Sequence, residues 1–209
     1  MKITIRGNTF ELLPEKAVFW HEEGALLLAD VHLGKIMHFR KNGSNLPLAS
    51  QQTDFERMTK LLDQWKPEQI IFLGDLFHSE INSTWHQFEA WIKQRKGHFI
   101  LITGNHDIID PKHYDHIRVK VLSSLTQKAF SLTHKPEDIE GFNICGHIHP
   151  GVKLKGAGSQ RLKLPCFHVS PHRLTLPAFG SFTGLHPVYP AEKDQIFAIA
   201  DHKVIEMNA

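Results

Sequence analysis

Sixteen of the 209 residues are histidine, and many stand in short polar blocks with aspartate, asparagine and glycine. Five blocks stand out: Asp30-Val31-His32, Gly74-Asp75-Leu76-Phe77-His78, Gly104-Asn105-His106-Asp107, Thr133-His134 and Gly146-His147-Ile148-His149. Carboxylate oxygens and imidazole nitrogens together suit divalent Zn, Mn and Fe. The i, i+2 pairs Asp30/His32 and His147/His149 share one side of an extended segment, so a loop can aim each pair at one point. An uncharged Asn carbonyl completes a mixed oxygen and nitrogen shell. Alone, each block has a plain structural reading. Asp-x-His can be a salt-bridged turn, Gly-Asn-His-Asp a tight turn, and His134 a packed or exposed residue. Their occurrence in order, each behind an apolar run, points instead to a metal centre. Such a centre also satisfies polar groups that are costly to bury alone.

Blocks of this kind need strands to present them. Residues 25–29 are continuously apolar, as in a strand buried on both faces, and end at Asp30. Residues 70–73 and 99–102 repeat the pattern, closed by Gly74-Asp75 and Gly104-Asn105. Between them, Phe55, Met58, Leu61, Leu62 and Trp65 recur at helical spacing, with Ser50 as N-cap and Pro67 as terminator. Trp85, Phe88, Trp91 and Ile92 mark a second amphipathic helix ending near Gly97, so the tryptophans read as core and not as base-stacking residues. This βαβαβ pattern predicts α/β architecture, with polar clusters at the carboxyl ends of strands, where open α/β sheets bind ligands. Residues 2–6 and 17–20 precede it as strands. From residue 118 the chain reads as β-rich: 118–121, 128–132, 142–145, 152–155, 162–169, 173–176, 196–200 and 203–206. Gly24, Gly141, Gly151 and Asp201-His202 are expected to join hairpins. The length fits one domain over residues 1–209, with the β-rich half as its second layer.

Composition excludes other classes. Apolar residues make up 41% of the chain, which argues against disorder, and no run of apolar residues is long enough to span a membrane. The start lacks the apolar core of a signal peptide. Two cysteines, Cys145 and Cys166, fit a reducing cytoplasm. Gly-x-Ser-x-Gly, P-loop and dinucleotide-binding glycine patterns are missing. The net charge of +2 is too small to demand nucleic acid. However, residues 151–173 contain no Asp or Glu and carry Lys153, Lys155, Arg161, Lys163 and Arg173 directly after His149. That stretch either draws a polyanion to the site or is the solvated face of a hairpin.

Together the five blocks resemble the calcineurin-like metallophosphoesterase family, over residues 30–149. The resemblance implies an α/β fold of two central mixed β-sheets flanked by helices, a four-layer αββα sandwich. It implies Asp30, His32 and His149 around a first metal, and Asn105, His134 and His147 around a second, with Asp75 bridging. His106 becomes the catalytic histidine near the leaving group, with Asp107 as its orienting or fold-supporting neighbour. The implied cofactors are two divalent ions, manganese foremost, with Fe, Zn or Ni also accommodated. The implied reaction is phosphodiester hydrolysis by a hydroxide bridging the two metals, His106 protonating the departing oxygen. One departure is that His78-Ser79 stand where many members carry a phosphate-clamping arginine. Arg40, His78, Lys153 and Arg161 are therefore the candidates for substrate binding.

Further segments, residues 13–20, 29–35, 39–40, 73–79, 146–150 and 176–184, resemble the bacterial ligase-associated DNA damage response phosphoesterases. That branch implies a nuclease, with single-stranded DNA as a substrate and DNA ligase or helicase repair proteins as partners. A homodimer is a further expectation, and Phe39, Phe77, Phe179 and Phe182 are candidates for its face or for the cleft lining. The alternative is a small-molecule or nucleotide phosphoesterase without nucleic-acid activity. A non-catalytic protein-binding scaffold is disfavoured, because such scaffolds commonly lose the ligand and catalytic residues retained here.

Overall fold

The computed structural model describes residues 1–35, 49–78, 80–155 and 161–207. A seven-stranded sheet runs in chain order through β1 (Lys2–Ile5), β2 (Asn8–Leu13), β3 (Ala17–Trp20), β4 (Ala25–Leu28), β5 (Gln69–Leu73), β6 (His98–Ile102) and β7 (Val119–Leu122). It is antiparallel as far as β4 and parallel from β4 to β7. Parallel neighbours need crossovers, and two are supplied by helices α1 (Ala49–Trp65) and α2 (Ser83–Lys93); the short α3 (Pro111–His116) precedes β7. The Asn82 side chain caps α2 by accepting from Thr84 N at 2.8 Å. Asp110 caps α3 in the same way, with Pro111 as the first helical residue.

Strand alternation explains the continuous apolar runs. Leu26, Leu28, Ile70, Phe72, Phe99 and Leu101 pack against Phe55, Met58, Trp85, Phe88 and Tyr114 of the helices. Their alternates Leu27, Ala29, Ile71, Leu73, Ile100 and Ile102 face the second sheet. Burial on both faces leaves no room for polar residues within the strands, so the polar groups collect at their ends.

The second sheet contains β8 (Leu125–Gln127), β9 (Phe130–Leu132), β10 (Phe142–Cys145), β11 (Pro150–Lys155), β12 (Arg161–Ser170), β13 (Arg173–Thr175), β14 (His186–Pro187), β15 (Gln195–Ala200) and β16 (Lys203–Met207). Its order is β14-β11-β12-β13-β10-β9-β8, with β15 between β12 and β16. Phe130, Phe142, Ile144, Phe167 and Leu174 fill the interior against the first sheet. Phe10, Trp20 and Phe130 form a ring cluster there, with centroids 5.0–5.2 Å apart. The described helices pack on the seven-stranded sheet. On the other side, Asn143, Arg173 and His168 bond to residues 137–138 and 194 of two loops.

The fold is the expected pair of mixed β-sheets with flanking helices, but among the described residues the helices cover the seven-stranded sheet alone, and loops stand where the αββα sandwich would have its fourth layer. Strands 17–20 and 142–145 agree in full with their predicted spans. β2, β8, β14 and α3 were not predicted, being short or without a clear periodic signal. α1 starts at Ala49, so Ser50 lies inside it. Gly141 precedes β10, whose two neighbours are parallel, and Gly151 lies within β11, so neither glycine turns a hairpin. Among the described residues, no helix is long and apolar enough to cross a membrane.

Candidate metal centre

The five blocks follow β4, β5, β6, β9 and β10. Register places the ends of β4, β5 and β6 side by side. Their turns are then stitched together. Asp30 N donates to Gly74 O at 3.2 Å, His32 N to Asp75 O at 2.9 Å, and Gly146 N to His134 O at 3.1 Å. The turns are not extended. Asp30, His32, Asp75, His147 and His149 all have left-handed backbones, with φ between 51° and 69°. The expected extended backbone does not hold, although Asp30 and His32 still converge on one group. His147 and His149 turn to different groups instead of one point. Such conformations cost about 1–2 kcal/mol for each non-glycine residue, so surrounding bonds must hold them.

Two ligand groups result. Asp30, His32 and His149 form one, and Asp75, His134 and His147 the other, each with its donor atoms within 4.8 Å of one another. Asp75 lies between them, with Oδ2 3.8 Å from His32 Nε2 and Oδ1 3.5 Å from His134 Nε2. Asp30 Oδ1 is 3.2 Å from His149 Nε2, yet it is buried without a hydrogen bond, as is His32 Nδ1. Asp30 Oδ1 and His149 Nε2, close to each other without a hydrogen bond, suit a cation between them. His134 Nδ1 donates to Leu73 O at 3.0 Å, which leaves the Nε2 lone pair pointing into the site. Gly74 makes this approach possible: its φ is +80°, and a Cβ there would lie 2.1 Å from His134 Nδ1. Burial, with Lys35 next in effect, drives the His32 pKa down to about 2, and burial and His134 lower that of His147. Neutral imidazoles are the form that binds metal.

His106 is exposed beside the first group. Its ring lies 5.3 Å from that of His32 and 4.8 Å from that of half-buried His78. Its backbone N donates to Asp75 Oδ1 at 2.9 Å. Asn105 is exposed in the same turn. Asp107, expected to orient His106 or to support the fold, bonds to backbone. Its carboxylate accepts from Asp75 N (2.7 Å), Gly104 N (2.8 Å), Leu76 N (2.9 Å) and Phe77 N (3.2 Å). Burial raises its pKa, and these donors oppose the rise.

The substrate candidates fare unevenly. Lys153 and Arg161 are exposed on the β11–β12 hairpin, where Lys153 pairs with Lys163 across the strands, and among the described residues no bond joins them to the ligand groups. Arg40, like Phe39, lies outside the described residues. Phe77 and Phe179 are buried in the core, so neither forms a dimer face. Lys35, given no role from sequence, borders the first group. With His32, Asp54 and Phe182 it lines a narrow cleft, and the Asp75 and Asp30 carboxylates oppose the lowering of its pKa by burial. The signal for it was a cation one turn beyond His32. Larger open hollows of 780 and 710 Å³ contain none of the five blocks, so ligand chemistry places the site and cavity size does not.

The family profile for calcineurin-like phosphoesterases matches residues 25–175. The chain belongs to the calcineurin-like phosphoesterase family. Its paired ligand groups make it a metal-dependent hydrolase of phosphoesters with a two-metal centre. Among solved structures, it is similar to the nuclease MPE of Pseudomonas putida, at 30% identity, 99% coverage of both chains and a TM-score of 0.85. It also matches AQ665 of Aquifex aeolicus, a protein of unknown function, at 19% identity, covering 65% of this chain and 82% of that one, with a TM-score of 0.44. The E. coli phosphoesterase Yfce matches at 15% identity, 87% and 96% coverage and a TM-score of 0.41. No curated protein matches the sequence.

Proposed function

We propose that this phosphodiesterase cuts nucleic acid, single-stranded DNA included, with manganese as the working metal. The arrangement that carries the reading is the pair of ligand groups on either side of Asp75. Asp30, His32 and His149 would hold one ion, and His134, His147 and Asn105 the other, with Asp75 shared. Two such ions supply an activated water at neutral pH and neutralise phosphoryl oxygens. His106 stands at the open side of the first group, where its imidazole can pass a proton to the departing oxygen. Asp107 supports the chemistry indirectly, by fixing the backbone of Asp75 and Gly104. Lys35 and His78 face the substrate phosphate, and Lys35 takes the part of the missing arginine.

The nucleic-acid step is supported by full-length similarity to a nuclease at 30% identity. The acid-free basic stretch of residues 151–173 supports it too, through attraction for a phosphate backbone. The interior shared by both sheets supports one domain over residues 1–209. The two free cysteines support the cytoplasmic setting, half-buried Phe182 is the described candidate left for a homodimer face, and the branch resemblance alone carries the DNA ligase or helicase partners. The test is a substrate panel with manganese-loaded protein: single- and double-stranded DNA, RNA, cyclic nucleotides and bis(p-nitrophenyl) phosphate. Cleavage of single-stranded DNA is expected. Turnover of small diesters or nucleotides with no cleavage of DNA or RNA overturns the nuclease reading.

A further inference from the structure

Asp30 and His32 have left-handed backbones, which the Gly74–Asp75 turn holds from one side, and His147 N donates to Asp30 Oδ2 at 2.8 Å. The other side is held by residues 179–181. Phe179 N donates to Ala29 O at 2.8 Å and Gly180 N to Asp30 O at 3.1 Å. Gly180 lies so close that a Cβ there would be 2.4 Å from Val31 O. This loop is anchored by a pair of charges on α1. Asp54 and Arg57 stand one turn apart and 3.0 Å from each other, with side chains 9% and 20% exposed. A buried ion pair recovers its desolvation cost only when its remaining valences are filled. Here the loop fills those of the Asp54 carboxylate and one arm of the guanidinium, while Arg57 Nε stays unpaired among the described residues. Asp54 Oδ1 accepts from Ser181 Oγ at 2.6 Å and Oδ2 from Ser181 N at 3.3 Å. Arg57 donates to Phe179 O, and its guanidinium lies 4.0 Å above the Phe179 ring.

We propose that Asp54, Arg57 and Ser181 are positioning residues for the first metal group, holding residues 179–181 against the Asp30-Val31-His32 turn and so directing Asp30 and His32. None of the three belongs to either ligand group. The second group is linked to this turn through Gly74–Asp75 and through His147 N, which donates to Asp30 Oδ2 at 2.8 Å, but among the described residues no bond of residues 179–181 reaches Asp75, His134 or His147, so the two metal affinities should respond unequally.

The inference rests on the two-metal reading, and wild-type protein tells the two failures apart. Free manganese is followed by EPR during titration of the metal-free full chain, for wild type, Ser181→Ala, Ser181→Thr and Asp54→Asn. Wild type is expected to take up two ions. Ser181→Ala should weaken one affinity roughly ten- to hundredfold, as for other groups that orient metal ligands, and leave the other unchanged. Ser181→Thr, which keeps the hydroxyl, should restore the lost affinity. Circular dichroism and the melting temperature of the metal-free proteins check folding. If Asp54→Asn does not fold, Ser181→Ala decides. Wild-type affinity at both sites in Ser181→Ala, or an equal fall at both, overturns the brace. Failure of wild type to bind two ions overturns the two-metal reading itself.

Discussion

The metal centre and the basic β11–β12 hairpin are chain neighbours, since β11 begins at Pro150, directly after His149. They are built differently. In the centre, Asp30, His32, Asp75 and His134 are buried, and their backbone turns are bonded from several sides. On the hairpin, Lys153, Arg161 and Lys163 are exposed, and their cross-strand neighbours are also cations. The first arrangement fixes atoms for chemistry. The second offers charge without fixed geometry, which suits a substrate backbone whose register does not matter. Changes at the centre should therefore stop turnover of every phosphodiester, and changes on the hairpin should act on long substrates alone.

The largest expected effect that tests this division is at Asp75. Asp75→Asn should cost more than the roughly hundredfold typical of residues behind the ligands, equally on DNA and on bis(p-nitrophenyl) phosphate. Full turnover of either substrate breaks the comparison. His106→Ala should keep both ions, checked by metal analysis, and lose roughly 10²–10⁴-fold in kcat. The loss should be greatest for alkoxide leaving groups, which need the proton, and smaller for p-nitrophenolate.

Asp107→Ala tests whether the centre is held through backbone. It strands the four backbone donors that the carboxylate now accepts from, each costing about 1–3 kcal/mol if left unpaired. A marked fall in melting temperature of the metal-free protein is expected, unlike His106→Ala, where it should hardly move. Equal melting temperatures for the two variants contradict the clamp.

Smaller effects are expected on the hairpin. Lys153→Glu with Arg161→Glu should raise KM for DNA and flatten its salt dependence, the slope falling by roughly one for each phosphate that is no longer neutralised. Turnover of bis(p-nitrophenyl) phosphate should not change. A fall there instead places the hairpin inside the catalytic machinery. The mildest effect is a pH dependence carried by two buried thiols that belong to neither ligand group. Burial pushes the Cys145 and Cys166 thiols up to about 12. Because the folded state favours the protonated thiol, this stability is full below the ordinary thiol pKa and is lost as pH rises towards 12. Denaturant midpoints should fall between pH 8 and 10.5, and less steeply in Cys145→Ala with Cys166→Ala.

The sequence was most informative where burial acts locally. Leu26, Leu28, Ile70 and Phe72 sit in strands apolar on both faces, so strand ends and their polar blocks could be located from composition alone. Spacing misled at His147 and His149, because it assumed extended backbone where φ is left-handed. The family resemblance separated these two residues, as the structure's ligand groups do. What stayed hidden depends on long-range bonds. Asp107 reaches back 31 residues to Leu76, and Ser181 reaches 127 residues to Asp54. Nothing local in either segment marks those partners. Lys35 was visible, but only the turn after His32 shows that it borders the first group.

The central claim is that two ions share Asp75. Its most direct measurement is low-temperature EPR of the manganese-loaded protein, combined with metal analysis. The account predicts two ions per chain and the exchange-coupled signal of manganese pairs roughly 3.5–4 Å apart, replaced in Asp75→Asn by an uncoupled signal or none. A single uncoupled ion in the wild type, or a coupled pair that survives loss of Asp75, would contradict it.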